Sequence, residues 1–423
     1  MASDRYLPRI GDAELLRRLE AAGAVLIEGP RACGKTAMAR QVAASEVLLD
    51  IDANARRAMA VDPGLVLAGD CPRLIDEWQT EPAIWNHVRH AVDRNVARGG
   101  RRGQFILPGS AVPAADITRH TGAGRISRLR LRPMTLLEAG VSTGHISMEG
   151  MLRGRFDGCP DSRMPLPEIA AQICRGGWPG DIGRSDAVCL SARIDYIEEI
   201  RRGDIERVDG VRRDPENVGR LLRSLARNVA TTVSARAIAA DAGGSDGPLD
   251  SDTVRGYLNA LHRLLVYEEQ PVWAPHLRSR SRLRQAPKRH FVDPSLATAA
   301  LGATPERLLA DLELLGVLFE SLVHRDLCVY AQAHDASVYH YRDNTGLEVD
   351  MVVEDRSGAW CAFEVKLGVG QVDNAAQTLL KFRDRLDLEK VGEPGTLGVI
   401  VSSGYGYMRE DGVAVIPVTA LGL

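Results

Sequence analysis

The chain has 423 residues, 45% hydrophobic and 26% charged, which excludes disorder and leaves room for two or three domains with full cores. A net charge of -3 means that any affinity for nucleic acid has to come from local basic patches and not from a global field. Seven scattered cysteines with no CxxC pair argue against zinc or a disulfide framework, MASDRYLPRI has no apolar signal region, and no run approaches the roughly 20 apolar residues of a membrane span, so the expectation is a soluble cytoplasmic protein without membrane association.

From residue 24 to about 140, AVLIE is followed by TAMARQVAAS, EVLLDID, RLIDEW, a long helix to Asn95 and QFIL. This is the rhythm of a parallel sheet with crossover helices, an α/β fold. The first turn reads Gly29-Pro30-Arg31-Ala32-Cys33-Gly34-Lys35-Thr36, a P-loop pattern set between an apolar strand and a helix. In such a turn the glycines let backbone N–H groups point at phosphate oxygens, Lys35 reaches the terminal phosphates, Thr36 binds Mg²⁺, and the helix N-terminus adds attraction. ATP and Mg²⁺ are therefore the expected cofactors. RLIDEW supplies Asp76 for the Mg²⁺ shell and Glu77 to orient the attacking water as general base. At the end of QFILPGSA, Pro108 precedes Gly109 and Ser110; proline has no donor, so Ser110 or nothing senses the terminal phosphate. GAGRISRLRLRPM offers Arg125 and Arg128, either of them an arginine finger or equally part of a basic surface strand packed with Asp or Glu neighbours, and a finger supplied by a neighbour requires a homo-oligomer.

Residues 141–213 read as mostly helical, with the turn GGWPG at 176–180. Then PENVGRLLRSLARNV, SARAIAAD and SDTVRGYLNALHRLLVYE predict three short helices ahead of a strand-like VYEEQPVW, an order that resembles a winged helix. Its third helix carries Arg255, His262 and Arg263, and the next loop holds Arg278, Arg280, Arg282, Arg284, Lys288 and Arg289. Such a run neutralises DNA phosphates in a salt-dependent, sequence-independent way, and it is equally the pattern of a solvated loop. Soft boundaries fall near 140, 213 and 290, with a further α/β segment from there to the end.

That segment contains EVDMVVEDRSGAWCAFEVK, residues 348–366. If its loop is Arg356-Ser357-Gly358, with Gly358 left-handed, Asp355 pairs with Ala359, Asp350 faces Glu364 and Glu348 faces Lys366. Strand alternation then puts these four groups on one face and Val349, Met351, Val353, Phe363 and Val365 on the other. A two-residue turn would separate Asp350 from Glu364. Clustered carboxylates need a cation, and Mg²⁺ is the usual one in phosphodiester cleavage. The plainer reading is an amphipathic hairpin with a Glu348–Lys366 ion pair of little energetic weight.

Taken together, GPRACGKT, RLIDEWQ, GSA followed by GRISRLRLRPMTLLE, GGWP, RRGDI, FVDPSLA, GVLFES and the EVDMVVE…FEVK hairpin resemble, over almost the full length, a family of prokaryotic ATPases with an AAA-like N-terminal domain and a C-terminal domain with a PD-(D/E)XK nuclease-like core. The resemblance implies a P-loop ATPase domain over 1–140, a helical extension over 141–213, a winged-helix-like domain over 214–290 and a restriction-nuclease-like domain over 291–423. It implies ATP binding and hydrolysis and a relation to DNA. Asp350 and Glu364 match that superfamily's Mg²⁺ ligands, Lys366 the group that stabilises hydroxide or phosphate, and Glu320 the acid from a preceding helix. The family carries a threonine where Pro108 stands. Two functions follow: an ATPase coupled to Mg²⁺-dependent DNA cleavage, or a nucleotide-switched regulator whose nuclease-like fold recognises DNA or protein.

Overall fold

Ala24 to Ile27 form an apolar run with no polar break, as a central parallel strand covered on both faces requires, and all four are buried. They belong to β1 (Ala24–Glu28), the fourth strand of a five-stranded parallel sheet with β2 (Ser45–Leu48), β3 (Arg73–Asp76), β4 (Phe105–Gly109) and β5 (Ile126–Arg130) in the order β2-β3-β4-β1-β5. The computed structural model describes residues 6–109, 122–244, 247, 249–275 and 285–423. Helix α1 (Lys35–Arg40) leaves the P-loop and is shorter than TAMARQVAAS suggests. Helix α2 (Ile84–Ala97) buries Ile84, Trp85, Val88 and Val92, one apolar stripe, against the sheet. Each such side chain contributes on the order of 1.5–3 kcal/mol of burial.

The middle of the chain is less purely helical than its composition suggests. Strand β6 (Cys159–Ser162) leaves the helical region and becomes the edge of the C-terminal sheet. Its sequence, CPDS, has no alternating apolar pattern, so only tertiary pairing makes it a strand. Helix α3 (Asp186–Glu199) runs directly into a π-helical turn, Ile200–Asp204. Helices α4 (Pro215–Arg227), α5 (Ala235–Asp241) and α6 (Ser251–Arg263) are followed by an antiparallel pair, β7 (Tyr267–Gln270) and β8 (Lys288–Phe291). The expected boundary at 290 therefore cuts through β8.

Two of the sequence motifs lock this region to the C-terminal domain. Asp293 of FVDPSLA accepts from the Gly177 N–H of GGWP at 3.0 Å and from Arg325 at 2.7 Å, while Trp178 Nε1 donates to Ser295 Oγ at 3.0 Å. Arg325 also pairs with Asp326, whose other oxygen takes the Leu136 N–H at 2.9 Å. Charges this deeply buried persist only when every one has a partner.

Helix α7 (Leu312–Ala333) precedes the hairpin strands β9 (Ala336–Arg342), β10 (Glu348–Asp355) and β11 (Trp360–Lys366). Helix α8 (Val372–Asp384) then crosses to β12 (Thr396–Val401), and β13 (Gly404–Met408) and β14 (Val413–Pro417) complete a seven-stranded mixed sheet in the order β9-β10-β11-β12-β14-β13-β6. The β10–β11 register pairs Met351 with Phe363 and Glu354 with Trp360, and Gly358 is left-handed at φ 88°. This is the three-residue loop expected from the sequence.

The expected alternation fails at one point. On β9 the partners step from Tyr339 to Tyr341 while on β10 they step from Val352 to Val349, so β10 carries one extra residue, a bulge at Asp350 and Met351. Val349 consequently packs with Val352 in the core under α8, whereas Met351 and Val353 pack with Phe363 and Val365 in the core under α7. No single-strand pattern reveals a bulge set by a neighbour.

Candidate functional site

The P-loop turns on two left-handed residues, Ala32 at φ 61° and Gly34 at φ 100°, which curl the backbone into a concave row of N–H groups. Gly29 is needed for space: a Cβ there would lie 2.3 Å from the Leu131 carbonyl oxygen. Lys35 Nζ donates to the carbonyls of Gly29 at 3.0 Å and Pro30 at 2.7 Å, and burial pushes its pKa down. Thr36 Oγ1 donates to Asp76 Oδ1 at 3.2 Å. Burial raises the pKa of Asp76, and burial together with Asp76 raises that of Glu77. Among the described residues the hydrogen-bond donors to these two acids are neutral: Thr36 and the Glu77 N–H on Asp76, and Gln79 on Glu77. A magnesium nucleotide fits this donor set: a hydroxyl and a carboxylate converge, a second acid stands beside them, and the lysine occupies only backbone carbonyls.

The loop is roofed by residues to which the sequence assigned no role. Arg31 pairs with Asp204 of RRGDI at 2.7 Å, Tyr196 donates to the Arg31 carbonyl at 3.3 Å, and Arg9 donates to the Cys33 carbonyl at 2.8 Å. Asp204 lies in the π-helical turn, the local signal that a helix has been re-aimed for a contact. Arg125 does not join this group. It precedes β5, whose first residue lies beside Ala24, so roughly 15 Å of strand separates it from its own P-loop, and it pairs with Asp93 at 2.8 Å. Arg128 is exposed and bonds Glu28, the residue before Gly29. Pro108 lies beside Ile27 and Gly109 beside Glu28, and Ser110 is outside the described residues.

A second polar cluster lies at the bulge of β10. Lys366 Nζ is 2.7 Å from Glu364 Oε2 and 3.1 Å from Asp350 Oδ2, which also takes the Val365 N–H at 3.0 Å. Glu348 does not pair with Lys366 as the register alone suggests; it is bonded to Lys288 at 3.1 Å, because the bulge turns Asp350 toward Lys366. Lys288 also reaches Glu320 Oε1 at 2.8 Å and Asp350 Oδ1 at 3.2 Å. Burial pushes Glu320 up to about 8 and Glu364 up to about 7, with Asp350 adding to both. Burial acts on Asp350 in the same sense, but Lys288 and Lys366 outweigh it and hold it down at about 2. The cluster lines an open cleft of about 470 Å³ that Thr378 of α8 also borders. A divalent ion at Asp350 and Glu364 does not fit this arrangement without displacing a lysine: Lys288 holds Asp350 Oδ1, Lys366 and the Val365 amide hold Oδ2, and Lys366 also holds Glu364 Oε2.

Lys288 and Arg289 were expected in a basic DNA-facing loop. The structure buries both, Arg289 against Glu269, Tyr267 and the Val233 carbonyl, because their strand pairs with β7, and β7 in turn reaches β10 through Gln270 Nε2, which donates to the Asp350 carbonyl at 2.9 Å. Arg278, Arg280, Arg282 and Arg284 lie outside the described residues. Strand parity was the available signal, since Lys288 and His290 share one face of β8. Strand β7 also joins the two halves of the molecule: Glu268 accepts from Arg130, the last residue of β5, at 2.8 Å and from Arg132, just beyond it, at 3.1 Å. Glu268, His324 and Cys328 bring three metal-type ligand atoms within 4.8 Å of one another; burial pushes Glu268 up, but Arg132 and Arg130 outweigh it, neutralise the carboxylate and hold it down at about 2.

No helix of the described residues is long and apolar enough to cross a membrane. Residues 166–307 match a family model described as a domain of unknown function (DUF8612), and residues 315–421 match another domain of unknown function (DUF4143). Uncharacterized proteins of Mycobacterium tuberculosis and Mycobacterium bovis are each 28% identical over 359 residues, covering 84% of this chain and 72% of their own. The Walker-type ATPase of Pyrococcus abyssi overlays with a TM-score of 0.43 at 14% identity, over 70% of this chain and 96% of that one. Residues 21–139 match the model of an AAA domain, and they contain the P-loop, the Asp76–Glu77 pair and all five strands of the first sheet.

Proposed function

We propose that the protein binds ATP at the P-loop and hydrolyses it with Mg²⁺. The observation that carries this reading is the convergence of the Thr36 hydroxyl and the Asp76 carboxylate at 3.2 Å beside Lys35. Mg²⁺, when bound, supplies positive charge to the phosphate oxygens, and Thr36 and Asp76 are the residues that would hold it. Lys35 exchanges its carbonyl contacts for the terminal phosphates, and the N–H groups of residues 31–36 surround the remaining oxygens. Glu77, its carboxyl raised by burial, takes the proton of the attacking water. A Lys35→Ala protein that released phosphate from ATP at the parent rate would overturn this assignment.

The reading extends to action on or near DNA through the winged-helix-like segment and the C-terminal domain. Its support is the order of elements: three helices then a hairpin, and later a helix, three antiparallel strands and a crossover helix carrying Glu320, Asp350, Glu364 and Lys366. For the C-terminal domain we favour the regulator over the nuclease, because Lys288 and Lys366 already neutralise the acids that cleavage would need for metal. The expected result on incubating the parent with DNA and Mg²⁺, with or without ATP, is intact DNA; cleavage that disappears in Asp350→Ala would restore the nuclease. A finger from Arg125 or Arg128 would act between chains, which makes a homo-oligomer part of the proposal.

A further inference from the structure

Lys288 approaches the C-terminal acids from outside the elements that bear them. It stands on β8, while Glu320 belongs to α7 and Glu348 and Asp350 to β10. Its ammonium lies 2.8, 3.1 and 3.2 Å from one oxygen each of Glu320, Glu348 and Asp350, and its side chain is 3% exposed. The backbone fixes the position from the other side, since Gln270, opposite Lys288 in the β7–β8 ladder, is itself bonded to the Tyr339 and Asp350 carbonyls. Lys288 is therefore held in the cluster by its strand and is not a surface side chain that has folded inward.

The spread of the acids has the size of an ammonium site. A donor with three acceptors near 3 Å holds those oxygens about 5 Å apart, whereas Mg²⁺, with ligands near 2.1 Å, draws neighbouring oxygens to about 3 Å and opposite ones to about 4 Å. Among the described residues, the group of three His, Cys, Asp or Glu ligand atoms within 4.8 Å of one another is Glu268, His324 and Cys328, and not the acids around Lys288. The other oxygen of Asp350 is filled by Lys366 and by the Val365 amide. A divalent ion entering here would meet two fixed ammoniums and would have to displace one of them.

We infer that Lys288 is the resident cation of the C-terminal acid cluster, filling the place of a divalent metal and keeping the native site metal-free. This rests on the reading of that domain as one that recognises without cutting, and it extends that reading from cleavage to metal binding itself. Without Lys288, two of the acids it bonds, Glu320 and Asp350, form a divalent-cation site together with Glu364, which Lys366 ties to Asp350.

The experiment counts Mn²⁺ on the nucleotide-free, full-length chain by the loss of the free-ion electron paramagnetic resonance signal. It compares the parent, Asp350→Asn, Lys288→Met and the double variant. The expected result is equal Mn²⁺ on parent and Asp350→Asn, one additional ion per chain on Lys288→Met, and loss of that ion in the double variant. Two results overturn the inference: a parent that binds one more ion than Asp350→Asn, or a folded Lys288→Met protein that binds no more than the parent. Lys288→Gln serves if Lys288→Met does not fold, and the parent against Asp350→Asn decides if neither does. An Asp350-dependent Mn²⁺ on the parent without DNA cleavage would remove this inference and leave the non-cutting reading standing; cleavage by the parent would remove that reading.

Discussion

The P-loop site and the C-terminal cluster use the same residue types, buried acids beside a lysine, and arrive at opposite states. At the P-loop, Lys35 is satisfied by the carbonyls of Gly29 and Pro30, so Asp76 and Glu77 retain their capacity for an outside cation. In the C-terminal cluster, Lys288 and Lys366 spend their donors on the acids themselves. The difference lies in where each lysine's hydrogen bonds go and not in the inventory of side chains. A motif match reports that inventory, and only the bonding decides whether the acids are free.

The largest expected effect sharpens the P-loop half. Glu77→Gln should retain ATP binding while phosphate release falls by on the order of 10²–10⁴, the range for loss of a general base. Lys35→Ala should lower turnover by about 10²–10³, as loss of a donor to developing charge does, with a smaller loss of Tm than Lys288→Met because its present partners are two neutral backbone carbonyls and not carboxylates. The opposite balance is expected at Lys288. Lys288→Met should leave turnover near the parent value but cost about 3–5 kcal/mol of stability, since it strands buried carboxylates. Equal thermal denaturation of parent and variant would break the comparison.

The pH dependence follows from the raised acids of the second cluster. Burial, with Asp350 adding to it, pushes Glu320 up to about 8 and Glu364 up to about 7 in the fold against 4.5 as the ordinary value, so the folded state holds protons that the unfolded chain has released. Their stabilisation is complete below about 4.5 and is lost as pH rises through 7 to 8, with a slope of up to about 1.4 kcal/mol per pH unit for each group. Glu320→Gln should flatten the fall in urea-unfolding free energy between pH 5 and 8. The smallest effect is expected for Glu348→Gln: its carboxylate is partly exposed and its pairing with Lys288 is shared with two other acids, so a change under about 1 kcal/mol is predicted.

Much of the frame was legible because it depends on local signals. The apolar run before Gly29, the left-handed loop residue Gly358 and the amphipathic stripe of α2 each carry their own physical cause in sequence. What escaped depends on partners distant in the chain. CPDS is a strand only because β13 is there to pair with it. The bulge at Asp350 is set by β9, and Lys288 is drawn from a basic run into the core by the ladder with β7. Asp204 and Tyr196 cover the P-loop from more than 150 residues away, and the motif containing Asp204 was recognised as a pattern without a contact to explain it.

The most direct test of the contrast between the two sites is the number of Mn²⁺ ions bound per chain in the presence of a saturating, non-hydrolysable ATP analogue. The account predicts one tightly bound ion per chain, lost in Thr36→Ala and in Asp76→Asn and unchanged in Asp350→Asn. Two ions per chain, one of them lost in Asp350→Asn, would contradict it.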